Sequence, residues 1–249
     1  MRVFAVSDIH LDYDINLHWL ESLSKVDYQD DILILAGDIS DQLHLLERCF
    51  KTLTTRFKRV LFVPGNHDLW VARSKEKDSL EKFSRVSDIA GEFSVAMEPY
   101  HTGSLSIVPL LGWYDYSFGT PGEELKQVWM DFRACIWPGD LDVNQYFMGK
   151  NTPFLDNRNK TLISFSHFLP RIDVMPAFIP PSKRTLYPVL GSALLDQQVR
   201  KLDANIHVYG HSHVNRKITI DNICYINNAF GYPSETMITS KKLRCIFEN

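Results

Sequence analysis

Five times along this chain a short aliphatic run stops at residues able to bind a cation. Arg2-Val3-Phe4-Ala5-Val6 leads into Ser7-Asp8-Ile9-His10, the run Asp31 to Ala36 into Gly37-Asp38, and Arg59-Val60-Leu61-Phe62-Val63 into Pro64-Gly65-Asn66-His67-Asp68. Thr161-Leu162-Ile163-Ser164-Phe165 ends at Ser166-His167, and Asn205-Ile206-His207-Val208-Tyr209 ends at Gly210-His211-Ser212-His213. Short, nearly continuous runs of Val, Ile and Leu are the pattern of strands buried on both faces.

Helical periodicity separates the runs. Leu46, Phe50, Leu53 and Phe57 share one helix face after Gly37-Asp38, widened by Leu45 and Cys49. Leu195, Val199 and Leu202 form a second stripe, with Ser192 placed as its N-cap. Strand–helix–strand order predicts parallel strands whose carboxyl ends share one edge, where α/β sheets hold their ligands. Past Arg216 the pattern changes: Lys217–Ile220 and Ile223–Ile226 flank Asp221-Asn222, a hairpin signal, and residues 242–247 can add a closing strand. Residues 114–160 lack clean periodicity and are rich in aromatics (Tyr116, Phe118, Trp129, Phe132, Trp137, Tyr146, Phe147). They are expected to form an insertion or cap within one domain spanning 1–249, where Trp113, Tyr114 and these aromatics either pack a small core of their own or offer rings to stack on a nucleobase or cover a lipid.

The ligand candidates Asp8, His10, Asp38, Asn66, His167, His211 and His213 combine carboxylate, amide oxygen and imidazole. That mixture suits Mn, Fe, Zn, Co or Ni better than the all-oxygen shells of Ca or Mg. Seven side chains exceed one tetrahedral ion and suit two divalent ions sharing a carboxylate, with manganese the ion expected in vitro.

In order and spacing, Asp8-x-His10, Gly37-Asp38, Gly65-Asn66-His67-Asp68, His167 and Gly210-His211-x-His213 resemble the calcineurin-like metallophosphoesterase superfamily. The resemblance implies an α/β fold of two mixed β-sheets in a sandwich flanked by helices, an αββα arrangement. It implies that Asp8, His10 and His213 hold one metal, that Asn66, His167 and His211 hold the other, and that Asp38 bridges them. It also implies a bridging hydroxide attacking phosphorus in line with the leaving alcohol. His67 is then not a ligand but a catalytic group beside the phosphate, stabilising charge or protonating the leaving oxygen. Asp41, three residues after Asp38, occupies the position of an Asp that pairs with this His in related phosphatases; the alternative is a helix cap near Gln42.

The departures are informative. Protein Ser/Thr phosphatases of the superfamily carry Gly-Asp-x-Val-Asp-Arg-Gly and Gly-Asn-His-Glu. Here Gly37-Asp38-Ile39-Ser40-Asp41-Gln42 lacks the phosphate-binding Arg, and Asp68 replaces Glu, so that substrate class is disfavoured. A phosphodiester or phosphomonoester of a small molecule is expected. The net charge of −3 gives a nuclease no support. An inactive scaffold is the reading from another class, and the complete ligand set with His67 speaks against it. Arg171 is either a phosphate contact or an ordinary surface arginine; His18, His44, His101, His207 and the Lys183-Arg184 pair are expected to be structural or solvated. With no signal-like leader, no apolar stretch of about 18 residues and four scattered cysteines, a cytoplasmic protein with reduced thiols is expected.

Overall fold

The computed structural model describes residues 1–156 and 159–249. Among these residues two sheets form. In the first, β1 (Arg2–Val6), β2 (Ile32–Ala36) and β3 (Arg59–Val63) run parallel, and β10 (Arg244–Glu248) pairs antiparallel with β1, giving the order β10-β1-β2-β3. In the second, β5 (Leu105–Pro109), β6 (Thr161–Phe165), β7 (Ile206–Tyr209) and β9 (Ile223–Asn227) are parallel. Antiparallel edges β4 (Tyr100–Thr102) and β8 (Arg216–Ile220) complete the order β4-β5-β6-β7-β9-β8.

Alternation along each strand divides the core into layers. Val3, Ala5, Ile32, Ile34, Leu61, Val63, Ile107, Ile163, Phe165 and Val208 interdigitate between the sheets. Their neighbours Phe4, Val6, Leu33, Leu35, Val60 and Phe62 face outward onto helices α1 (Asp14–Ser22), α2 (Leu43–Thr54) and α3 (Ser79–Glu92). The other sheet packs outward against α6 (Val143–Asn151) and α7 (Ala193–Lys201). Helix, sheet, sheet, helix is the predicted sandwich.

The expected helix stripes are buried as drawn, although α2 ends at Thr54 and Phe57 packs from the turn beyond it. Ser192 caps α7, its hydroxyl accepting from Leu194 N at 3.1 Å. Asp221 and Asn222 both adopt positive φ (50° and 67°), the conformation a two-residue β8–β9 turn requires. Segment 114–156 contains α4 (Glu123–Val128), α5 (Asp131–Ala134) and α6; of the insertion expected over 114–160, residues 157 and 158 lie outside the described residues. No helix among the described residues is long and apolar enough to cross a membrane.

Candidate metal centre

β1, β2 and β3 of one sheet and β6 and β7 of the other end at the same place, where the chain turns sharply. Asp8, His10, Asp38, His211 and His213 all have positive φ, between 46° and 68°. An L-residue there costs on the order of 1 kcal/mol or more, so the turns are held by their surroundings. Asp68 supplies one clamp: its Oδ2 accepts from Asp38 N and Gly65 N at 2.9 and 2.8 Å, and its Oδ1 from Ile39 N and Ser40 N at 2.9 and 3.1 Å. Burial pushes its carboxyl up to about 6 against the pull of those donors. Glycine is needed where backbones meet side chains. A Cβ on Gly65 would stand 2.1 Å from Asp38 Oδ1, and one on Gly37, itself at φ +83°, 2.5 Å from His167 Nδ1.

The seven predicted ligands converge and are buried. Donor atoms of Asp8, His10, Asp38 and His213 lie within 4.8 Å of one another, as do those of Asp38, His167 and His211. The two groups share Asp38. His167 Nδ1 faces the carbonyl oxygen of Ala36 at 2.9 Å, and His211 Nε2 that of Val189 at 3.0 Å. Carbonyls only accept, so those nitrogens carry the protons and the opposite ones are bare. Bare His167 Nε2 and bare His211 Nδ1 then stand 3.0 Å apart, with Asn66 Oδ1 3.1 Å from the former. Asn66 is oriented by its amide N–H donating to Asp131 Oδ1 at 2.8 Å. Three acceptors thus point at one another with no donor among them, an arrangement that fits a cation.

In the other group, His213 Nδ1 donates to Glu235 Oε2 at 2.6 Å. Its Nε2 faces Asp8 Oδ1 at 3.2 Å and His10 Nε2 at 3.1 Å. Burial opposes charge on His213, but Asp8 and Glu235 outweigh it and push the imidazole up to about 10. Burial and neighbouring imidazoles hold His10 well below its ordinary value. Burial, Asp8 and Asp68 raise Asp38 well above the carboxylate range. A divalent cation bound here would compete with protons for the same donor atoms.

Side chains remote in sequence complete the site. Asp131 also accepts from the indole N–H groups of Trp70 and Trp129 at 2.7 and 2.8 Å. Trp129 meets His211 edge-on, and Tyr232 stacks on His10 at 4.4 Å. His67 stacks on Trp70 with centroids 3.7 Å apart, and its Nε2 lies 3.9 Å from Asp38 Oδ2. Burial, His167, His213 and Arg73 push it down to about 3 against the pull of Asp8. A cavity of about 240 Å³ opens over these groups, lined by Asp38, Asn66, His67, His211, His213 and Trp129 among others.

The expected partner of Asp41 is not the one found. Its carboxylate receives two hydrogen bonds from Arg73, at 2.5 and 2.9 Å, and its carbonyl accepts from buried Lys82 at 2.8 Å. Nor does it cap α2, whose N-cap position is Gln42, with no side-chain cap hydrogen bond. A guanidinium offers a planar fork that one imidazole N–H does not match. Arg171, the candidate phosphate contact, is engaged by Asp173 and Asp221 on the surface and lies over the Tyr225 ring. His207 is a buried structural histidine between Ser164 and Ser166. The four cysteines are free.

The family model of the calcineurin-like phosphoesterases matches residues 1–215. The chain belongs to that family. This phosphoesterase is 26% identical over 262 residues to the [acyl-carrier-protein] phosphodiesterase PptH of Mycobacterium tuberculosis, covering 94% of the chain and 78% of the relative. Its fold is similar to the crystal structure of the phosphopantetheinyl hydrolase PptH of the same organism, with TM-score 0.84 and 23% identity over 100% of this chain and 96% of that one. It is a phosphoric ester hydrolase of a metal-dependent family.

Proposed function

We propose that this phosphoesterase cleaves a phosphodiester with the help of two divalent cations, and that its substrate is the phosphopantetheinyl group of an acyl carrier protein. The observation that carries the two-cation reading is the pair of donor groups sharing Asp38, one of them made wholly of acceptors. Asp8, His10 and His213 would hold one ion and Asn66, His167 and His211 the other, with Asp38 within reach of both groups. When bound, such ions acidify water to hydroxide near neutral pH and draw charge from the phosphoryl oxygens. Mixed imidazole and oxygen donors favour Mn, Fe, Zn, Co or Ni. The substrate rests on the likeness in sequence to the acyl-carrier-protein phosphodiesterase PptH.

The chain's own residues do the rest. The left-handed turns fix the donor atoms before substrate arrives, so little reorganisation remains for the reaction. His67 lies beside Asp38, locked against Trp70. Its imidazole N–H is placed for a phosphoryl oxygen or the leaving oxygen, and the substrate's negative charge opposes the burial that keeps the ring neutral. Trp129 and Tyr232 form apolar walls that limit water around the reacting phosphate.

Purified protein is to be assayed for metal content and for hydrolysis of bis-p-nitrophenyl phosphate, p-nitrophenyl phosphate and a phosphopantetheinyl carrier protein, the last read by mass. Asp38→Asn is expected to lose metal and activity together. His67→Asn is expected to keep its metal while kcat falls about 10²–10⁴-fold. An Asp38→Asn protein that keeps both ions and normal turnover overturns the two-cation reading, and a carrier protein left intact by the active wild type overturns the substrate.

A further inference from the structure

Two cavities flank the metal centre, and charge distinguishes them. One, of about 530 Å³, lies among Trp113, Phe132 and Trp137 and reaches Asp131. Asp115, Asp131, Asp140 and Asp142 all line it and no Lys or Arg does, so it repels a phosphorylated ligand. The other, of about 400 Å³, runs between residues 118–128 and residues 184–188, with a single carboxylate, Glu124, and a guanidinium, Arg184. Arg184 donates to the carbonyls of Ala177 and Ile179 at 3.1 and 3.0 Å, so its positive charge meets no carboxylate there. Leu186 lines both this groove and the cavity over the metal centre, and Trp129 of that cavity follows Val128 of the groove.

Each wall of the groove is tied to a candidate ligand. The wall formed by the 3₁₀ segment Pro181–Val189 ends at the carbonyl that accepts the His211 proton. The opposite wall, α4, runs into Trp129, whose indole N–H reaches Asp131 and through it Asn66. The groove is therefore held in register with the reacting phosphate. Its lining mixes apolar Phe118, Leu125 and Pro188 with the hydroxyls of Thr120 and Thr185. That suits a linear arm in which amides alternate with methylene groups, and its volume lies within the range of small-molecule sites.

We propose that this groove is the subsite for the pantetheinyl arm of the diester, the part of the substrate that stays with the phosphate after cleavage; the proposal rests on the substrate reading above. Thr120 and Thr185 are exposed, so a large side chain fits there without disturbing the core. In Thr120→Trp and Thr185→Trp, kcat/KM for the phosphopantetheinyl carrier protein relative to bis-p-nitrophenyl phosphate is expected to fall about 10-fold or more, about the loss of one well-packed contact. The fall should appear mainly in KM. A ratio unchanged in both variants overturns the subsite. If the wild type cleaves bis-p-nitrophenyl phosphate but not the carrier protein, the substrate reading has failed. The groove is then judged with free phosphopantetheine as inhibitor of bis-p-nitrophenyl phosphate hydrolysis. Weaker inhibition in both variants supports it, and equal or absent inhibition overturns it.

Discussion

At the scale of single residues, the metal centre depends on side chains that touch no substrate. Asn66 can present its oxygen only because Asp131 takes its N–H. A carboxamide free to rotate by a half-turn would offer N–H₂ to a cation. In Asp131→Ala the amide and two indole N–H groups lose their acceptor, at about 1–3 kcal/mol for each donor left dry. Retention of the ion at Asn66, His167 and His211 is expected to weaken about 10–100-fold. After dialysis against graded chelator, metal per chain should drop by one ion before the other leaves, while Trp129→Phe, which spares the Asn66 contact, behaves nearly as wild type. Two ions held at wild-type strength in Asp131→Ala would refute the role given to Asp131. Asp41 teaches the same lesson in reverse. Its spacing from Asp38 marks it as a partner for His67, yet spacing says nothing of Arg73, which sits 32 positions away in sequence and takes the carboxylate.

At the scale of elements, the strands were legible because burial on both faces makes them continuous aliphatic runs, and because five of them break off at polar ligands. The β8–β9 hairpin and the Ser192 cap were legible for local reasons, a turn dipeptide and a hydroxyl before a periodic stripe. β5 carries no such mark because Leu105–Pro109 ends at no ligand, though it pairs with β6 and its Leu105 and Ile107 pack between the sheets. The supporting residues Asp68, Asp131 and Glu235 were silent because their partners are defined only once the chain is folded. So were the left-handed turns, since none of the five ligands in them is a glycine. His207 shows what a strand position does to a histidine. Ser166 Oγ donates to Phe168 O, so it accepts from His207 Nε2, which leaves Nδ1 to accept from Ser164. Burial pushes this ring down to about 3. An unfolded histidine titrates near 6.5, so between that pH and about 3 the unfolded chain binds the extra proton. Stability from this group is thus intact above about 6.5 and is lost on acidification by up to about 1.4 kcal/mol per pH unit. Urea unfolding at pH 7 and pH 5 should show a smaller acid loss for His207→Gln than for the wild type. Equal losses would mean that the ring accepts its proton in the folded state.

For the whole molecule, the decisive property is that the two sheets contribute separately to one centre. Asp8, His10, Asp38 and Asn66 follow strands of the first sheet, and His167, His211 and His213 follow strands of the second. Direct bonds already cross between them, such as His211 N to Asp8 Oδ1 at 3.0 Å and His167 Nδ1 to Ala36 O. Between those bonds lie imidazoles and carboxylates buried against one another, which is costly unless protons or cations intervene. On the proposed two-cation reading, cations shared by both halves would bind the folded chain and not the unfolded one, where the ligands are scattered from Asp8 to His213. Mass action then stabilises the fold by about 2.7 kcal/mol per ion at a free concentration 100 times its dissociation constant. For a chain of this size each kcal/mol moves the midpoint by about 2–4 °C. Saturating Mn²⁺ added to chelator-stripped protein is therefore expected to raise Tm by roughly 5–10 °C for one tight ion and further for a second. In Asp38→Asn, where both groups lose their common carboxylate, most of that rise should vanish. A rise in Asp38→Asn close to that of the wild type would mean that the two donor groups do not depend on a shared Asp38. On that reading, a centre spanning the sandwich would make the cations part of what holds its two halves together.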